Sequence, residues 1–187
     1  RLLAIGHDAI GQTSRFEDFT EHLVEWSGML YRCDNVALSY RLVPLDVYTP
    51  LDMRAPGAAS GVIALEGAMD ELACAAGIDP LQLRRVNFAD SNGNEGKPYS
   101  SKALLACYDQ GAERFGWSQR NPVPRSMREG RELIGWGVAG GVWEAMQMKA
   151  SAKARIDATG QLTVSSATTD IGTGTYTVMT QIAADAA

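Results

Sequence analysis

Two short glycine-bearing loops hold the residues whose types and spacing suit chemistry. Gly172-Thr173-Gly174 follows a strand-like stretch and opens an apolar helical pattern, so free backbone N–H groups and the positive end of a helix dipole are aimed at one point. The glycines allow close approach, and the Thr173 and Thr175 hydroxyls add donors, which makes an anion site suited to phosphate or pyrophosphate. It is not a Walker A loop, which needs Gly-Lys-Ser/Thr, nor a full G-x-G-x-x-G, because Thr177 stands where the third glycine belongs. The plainer alternative is a tight strand-to-helix turn capped by threonine. Arg54, in Met53-Arg54-Ala55-Pro56-Gly57, sits on a second loop that also feeds a helix N-terminus. Its charge is fixed and its planar fork offers five donors, enough to orient an anionic or oxo group. The same residue type in a loop also serves as a surface or interface salt bridge.

Other candidates are weaker. Glu66 and Asp70 share a helical face while Glu71 diverges, so a solvated or capping role is expected in place of an acid pair. His7 and His22 have no partners at ligand spacing, and Glu21-His22 reads as solvent-facing. Cys33, Cys74 and Cys107 match neither a metal knuckle nor a paired disulfide framework and read as small buried hydrophobes. The 187 residues are 45% hydrophobic with 17 basic against 22 acidic side chains. That is enough for a real core, and the net charge of −5 without a basic block argues against a nucleic-acid or anionic-membrane partner. No apolar run reaches the ~18 residues of a membrane span. The chain starts without Met inside a strand pattern and stops within a helical one, as a fragment of a longer polypeptide would.

The elements that must position these loops follow from periodicity. Leu2–Gln12 reads as a strand, and Ser14-Arg15-Phe16-Glu17 has the form of a capping box. Phe16, Phe19, Leu23, Trp26 and Leu30 then repeat as a helical stripe. Val36–Val43 alternates as a strand. A second helix from about Ser60 carries Val62, Leu65, Met69, Leu72 and Ala76 and stops at Gly77, and Asp79-Pro80 starts a short third one. Ser91 to Lys97 is a polar loop, and a fourth helix spans about 100–115. Residues 118–130, with two prolines and three arginines and no periodicity, are the expected linker between a unit at 1–117 and one at 131–187. The second unit reads as a glycine-rich strand at 133–142, strands at 152–158 and 162–167 joined by Thr159-Gly160, and a last helix with Val178, Met179, Ile182, Ala183 and Ala186 on one face. The fold class is α+β, with mixed helices and largely antiparallel sheet.

Several stretches resemble the molybdenum-binding large subunit of the xanthine dehydrogenase and aldehyde oxidoreductase family. They are Met53 to Gly57, Leu65-Glu66, Met69 to Ala73, Gly77 to Pro80, Leu83-Arg84 to Asn87, Gly111 to Trp117, Gly135 to Ala139, Ile171 to Thr177 and Gln181 to Ala186. Within the family the chain is similar to the bacterial aldehyde-oxidising branch with separate iron–sulfur, flavin and molybdenum subunits. The resemblance implies partial first and second molybdopterin-binding subdomains on either side of the linker. It also implies a bound molybdopterin, either the cytosine dinucleotide or the simpler form, whose dithiolene ligates molybdenum in place of cysteine.

Residue by residue, the resemblance carries over Arg54, Ala55 and Gly57 as cofactor contacts, together with Gly172, Thr173 and Gly174. Thr173 replaces the glutamine more common there, so its side chain offers a hydroxyl where an amide is usual. Pro56 stands in the substrate pocket where purine-oxidising members place a stacking Phe, which argues against xanthine. Glu144 and Gln147 fall near the family's substrate pocket, but no role is carried over to them. The implied reaction is hydroxylation of an aldehyde or N-heteroaromatic carbon with water as oxygen source, assisted by a glutamate base. Electrons leave through an iron–sulfur subunit to a flavin (FAD) subunit. The base lies outside these residues, so the fragment itself is expected to be inactive, without catalytic or metal-binding residues of its own. A reading from another class is a nucleotide- or partner-binding scaffold built on the same Gly-Thr-Gly turn.

Overall fold

Alternation of side chains along Ile5–Ser14 (β1) and Val36–Leu45 (β2) yields the longest ladder, a ten-residue parallel pair in register from Ile5 opposite Val36 to Ser14 opposite Leu45. The computed structural model describes residues 1–144 and 146–187, which divide into two compact units, Arg1–Trp143 and Glu144–Ala187. The architecture is mixed α+β. The other three strand pairs are antiparallel, so the expected antiparallel character holds except for β1 and β2.

The expected helix over 16–30 is reduced to Trp26–Leu30 (α1). Ser14 does receive the Phe16 and Glu17 N–H groups at 3.1 and 3.0 Å, as a cap would. Thr13, however, donates to the Glu17 carbonyl at 2.7 Å and accepts the Phe19 N–H at 2.9 Å, tying to β1 the backbone groups that a helix would need. No helix forms until Trp26.

Ala58–Ala76 (α2) is the central helix. Gly77, at φ 63°, ends it in a Schellman motif, with its N–H on the Cys74 carbonyl at 3.2 Å and the Ile78 N–H on Ala73 at 3.0 Å. Pro80–Val86 (α3) starts as expected, the Asp79 carboxylate accepting from the Leu81 and Gln82 N–H groups at 2.9 and 3.0 Å. A small hairpin of Ser91–Asn92 (β3) and Lys97–Pro98 (β4) leads to Leu104–Phe115 (α4), which closes on Gly116 at φ 77°. One apolar cluster joins Ile5, Leu30, Tyr31, Leu65, Met69, Ala73 and Leu83, and a second joins Trp26, Met29 and Ala58. Val62 and Val142 pack against both.

The buried stripe of α2 also contains Glu66, which is 5% exposed. This corrects the solvated role expected of it. Its carboxylate accepts from Arg84 Nε at 2.7 Å, from the Gly140 N–H at 2.8 Å, and from the Tyr31 hydroxyl. Arg84, 0% exposed, also reaches Asp70 at 2.9 Å, the Pro80 carbonyl at 3.0 Å and the Glu66 carbonyl at 3.2 Å. Burial is the largest influence on Arg84 and opposes its charge, but the bond to Glu66 together with the charges of Glu66, Tyr31 and Asp70 holds its pKa above the ordinary value. Burial and the same carboxylate push the Tyr31 phenol strongly upward. Asn87, 1% exposed, closes the group by accepting the Leu2 N–H at 2.7 Å and donating to the Leu83 carbonyl at 2.7 Å.

The division at 143/144 falls beyond the expected linker at 118–130. That segment is held to the first unit by Asp79, which accepts from the Trp117 indole at 3.1 Å and lies 3.8 Å from Arg120. Trp136 meets Phe115 edge-on at 5.0 Å, and Trp143 stacks on Trp26 at 5.2 Å. Beyond the short pair Arg128–Glu129 (β5) and Glu132–Leu133 (β6), residues 134–143 are irregular and not the expected strand, the Gly140 N–H being spent on Glu66. In the second unit Ala152–Ile156 (β7) and Leu162–Ser166 (β8) form the expected hairpin, turning at Gly160 with φ 86°. Thr175–Ala186 (α5) lies beside β8, with Met179 and Ala183 lining the cleft between them while Val178 and Ile182 are exposed. Among the described residues no helix is long and apolar enough to cross a membrane.

Removing one partner of a buried, hydrogen-bonded ion pair costs about 3–5 kcal/mol, whereas a partly exposed one costs under about 1 kcal/mol. Glu66→Ala is therefore expected to lower the stability of the first unit by the larger amount and Asp70→Ala by the smaller. All four tryptophans lie in Arg1–Trp143, so urea unfolding followed by tryptophan fluorescence measures both. Equal losses would mean that Arg84 depends on Asp70 as much as on Glu66.

Candidate cofactor-binding loops

The Arg54 loop is built against the start of α2. Ala55 has φ 58°, a left-handed value that is uncommon outside glycine and doubly constrained before Pro56. Gly57 follows at φ 70°. Non-glycine residues held there cost on the order of 1–3 kcal/mol, and such strain gathers at functional sites. Despite it, the Ala55 carbonyl accepts the first helical bond from Ala59 at 3.1 Å, and the Gly57 carbonyl accepts from Gly61 at 2.8 Å. Ala55 and Pro56 are half-buried, Ala55 against the Trp26 cluster, and Gly57 is buried. Arg54 is exposed and has no ion-pair partner among the described residues.

Glu21 takes part in this loop, a role the sequence reading missed. Its carboxylate accepts the Gly57 N–H at 2.9 Å. The neighbouring backbone lies so close that a Cβ on Gly57 would run into the His22 carbonyl and one on Gly61 into the Leu23 carbonyl. No spacing rule pairs Glu21 with Gly57 across 36 positions. His22 itself is exposed, paired with Glu25 at 3.1 Å. His7 is bonded to Ser27 at 2.8 Å. Of the cysteines, Cys33 is half-buried while Cys74 and Cys107 are exposed, which corrects their reading as buried hydrophobes.

The second loop lies in the other unit and is described by itself. Gly172 and Gly174 take φ 97° and 76°, values that glycine adopts without strain. Where the sequence suggests a site for a phosphate-like anion, their N–H groups meet an internal one: Asp170 Oδ1 accepts from Gly172 at 2.8 Å and from Gly174 at 3.3 Å. These bonds, Gly172's foremost, hold the Asp170 carboxyl below the ordinary aspartate value. The Thr173 and Thr175 hydroxyls bond to each other at 2.9 Å, and Thr173 does not cap the helix through its side chain. The loop is thus an anion nest filled by its own carboxylate, and Arg54 is an uncommitted cation on a rigid turn. Arg54 offers free donors to an anionic group, whereas the glycine-loop amides are spent on Asp170. Among the described residues no three His, Cys, Asp or Glu side chains converge as a metal site requires.

One strained and one glycine-rich loop, each in its own unit, open helices in a mixed α+β framework. In family comparison, residues 1–88 and 110–186 match molybdopterin cofactor-binding domains. The chain is 42% identical over 168 residues, 88% of its length, to the aldehyde oxidoreductase molybdenum-binding subunit PaoC of Escherichia coli strain K12. It is 33% identical over 141 residues, 71% of its length, to the xanthine dehydrogenase molybdenum-binding subunit of Escherichia coli O157:H7. It spans 23% and 19% of those relatives. The chain belongs to the molybdopterin-binding family of xanthine dehydrogenase and aldehyde oxidoreductase molybdenum subunits.

Because its folded pKa is depressed, Asp170 contributes stability above the ordinary aspartate range and loses it as pH falls through the lowered value. An NMR acid titration should show the carboxyl and the Gly172 and Gly174 amides moving together, below the ordinary aspartate pKa. Amides indifferent to that transition would mean that the nest does not close on Asp170.

Proposed function

We propose that this chain forms part of the molybdenum-binding subunit of a molybdenum hydroxylase that oxidises aldehydes or N-heteroaromatic compounds with water as oxygen source. The observation that carries the reading is the Met53–Gly57 loop. An unpaired guanidinium stands beside two left-handed residues, in a chain whose matched relatives are molybdenum-binding subunits. When bound, molybdopterin, in its cytosine dinucleotide or simpler form, supplies the metal and the dithiolene for the redox step.

The residues of this chain would bind and orient that group. Arg54 offers a fixed positive charge and a fork of donors to an anionic or oxo centre. Ala55 and Gly57 present backbone at close range, and Pro56 offers a small rigid wall to substrate, too short for the ring stacking a purine would use. Gly172, Thr173 and Gly174 would give their N–H groups to an anionic part of the cofactor in exchange for Asp170. The glutamate base, an iron–sulfur subunit and a flavin subunit belong to the remainder of the assembly.

In the full-length subunit, Arg54→Ala should lower aldehyde turnover about a hundredfold, equivalent to about 2.7 kcal/mol of transition-state stabilisation. Melting should shift by no more than about 2 °C, because an exposed side chain outside the core contributes little to stability. Normal turnover with a large fall in melting temperature would make Arg54 a structural residue and remove the site. The 187-residue chain alone should show no aldehyde oxidation and no stoichiometric molybdenum by metal analysis. A loaded, active chain would show the cofactor site and base to be misassigned.

A further inference from the structure

Between β1 and α1 the backbone of residues 18–23 forms neither helix nor strand, yet it is fixed at several points. Trp26, 4% exposed, donates its indole N–H to the His22 carbonyl at 2.6 Å. Phe19 is bonded to Thr13 at 2.9 Å. The segment passes over the first turn of α2 closely enough that Gly57 and Gly61, one turn apart, have no room for a side chain. Beside that backbone approach, the Glu21 carboxylate, half-buried, bonds the loop at 2.9 Å from the Gly57 N–H. Gly57 is the last residue of a turn whose Ala55 is held in the left-handed region before a proline. Such a backbone reverts to extended geometry unless its neighbours fix it.

We propose that Glu21 is a positioning residue for the Met53–Gly57 loop: by accepting the Gly57 N–H it locks the left-handed turn that presents Arg54, without touching cofactor or substrate. The proposal rests on the loop being a molybdopterin contact. Gly57 is the residue preceding α2, and its N–H belongs to the group of donors at a helix start that have no partner within the helix. Glu21 supplies that partner from 36 residues away. It can do so only because the glycines at 57 and 61 let the two backbones meet. The Gly57 N–H is thereby spent on Glu21, while Arg54 stays exposed without an ion-pair partner among the described residues.

The test is made on the full-length subunit with its partners, comparing Glu21→Ala with Glu21→Gln, which keeps an acceptor oxygen but removes the charge. Molybdenum and released pterin per subunit are the readouts, with the melting temperature of the cofactor-free protein alongside. Glu21→Ala should lower occupancy at least fivefold while cofactor-free melting stays within about 2 °C, since one part-buried neutral-donor bond contributes modestly to the fold. Glu21→Gln should return occupancy to within twofold of wild type.

Wild-type occupancy in Glu21→Ala overturns the proposal. So does equal loss in both variants, which would assign the effect to charge in place of the bond to Gly57. A fall of more than about 5 °C in cofactor-free melting with Glu21→Ala makes the residue structural and also overturns it. A wild-type subunit that binds no molybdopterin overturns this proposal together with the functional reading beneath it, and is told apart from the other failures by the wild-type control.

Discussion

A single buried carboxylate, Glu66, holds three parts of the first unit in place. Through Arg84 it fixes α3 against α2, through Tyr31 it fixes the chain leaving α1, and through the Gly140 N–H it fixes the irregular stretch that follows β6. A charge at 5% exposure is tolerated only when paired and hydrogen-bonded, and here its oxygens meet a guanidinium, a phenol and an amide. The bonds of Glu66 are directional where apolar packing is not, and they act on the helix whose N-terminus carries the Met53–Gly57 loop.

The elements with local causes were legible from sequence. Gly77, Asp79-Pro80, Gly116 and the Thr159-Gly160 turn each act over two to five residues, and each ends or starts an element where expected. Misreadings came where distant groups competed for the same backbone. Ser14 accepts the Phe16 and Glu17 N–H groups as a cap would, but Thr13 claims the Glu17 carbonyl and the Phe19 amide, so no helix follows. The 133–142 stretch alternates like a strand, yet its Gly140 amide is taken by a helix residue 74 positions earlier.

The loops of the proposed site were legible as types, an arginine turn and a glycine turn, because such residues are chosen for local backbone needs. Their partners were only partly so. Glu66 lies four residues after Val62, three before Met69 and seven before Ala73, a spacing that places it within the buried stripe. Its charge favoured the solvent reading. Glu21 left no such trace, since nothing in a helical or strand period links it to Gly57. Asp170 stands two residues before Gly172, the separation at which an Asx turn forms, and could have been read from that rule.

The self-filled nest at Asp170 also bears on how such a loop takes up a ligand. A glycine-rich turn without an internal anion would be an ensemble, and its occupant would have to order it at an entropic cost. Here the turn is already shaped, so uptake becomes an exchange of one negative group for another on the same amides. The intramolecular carboxylate acts as a tethered competitor whose effective concentration is fixed by a two-residue connection. Weak anions of the surrounding solution therefore meet an occupied loop, and only a group offering additional contacts elsewhere can displace the tether. In the function proposed above, selectivity against small anions would rest on the backbone and one aspartate.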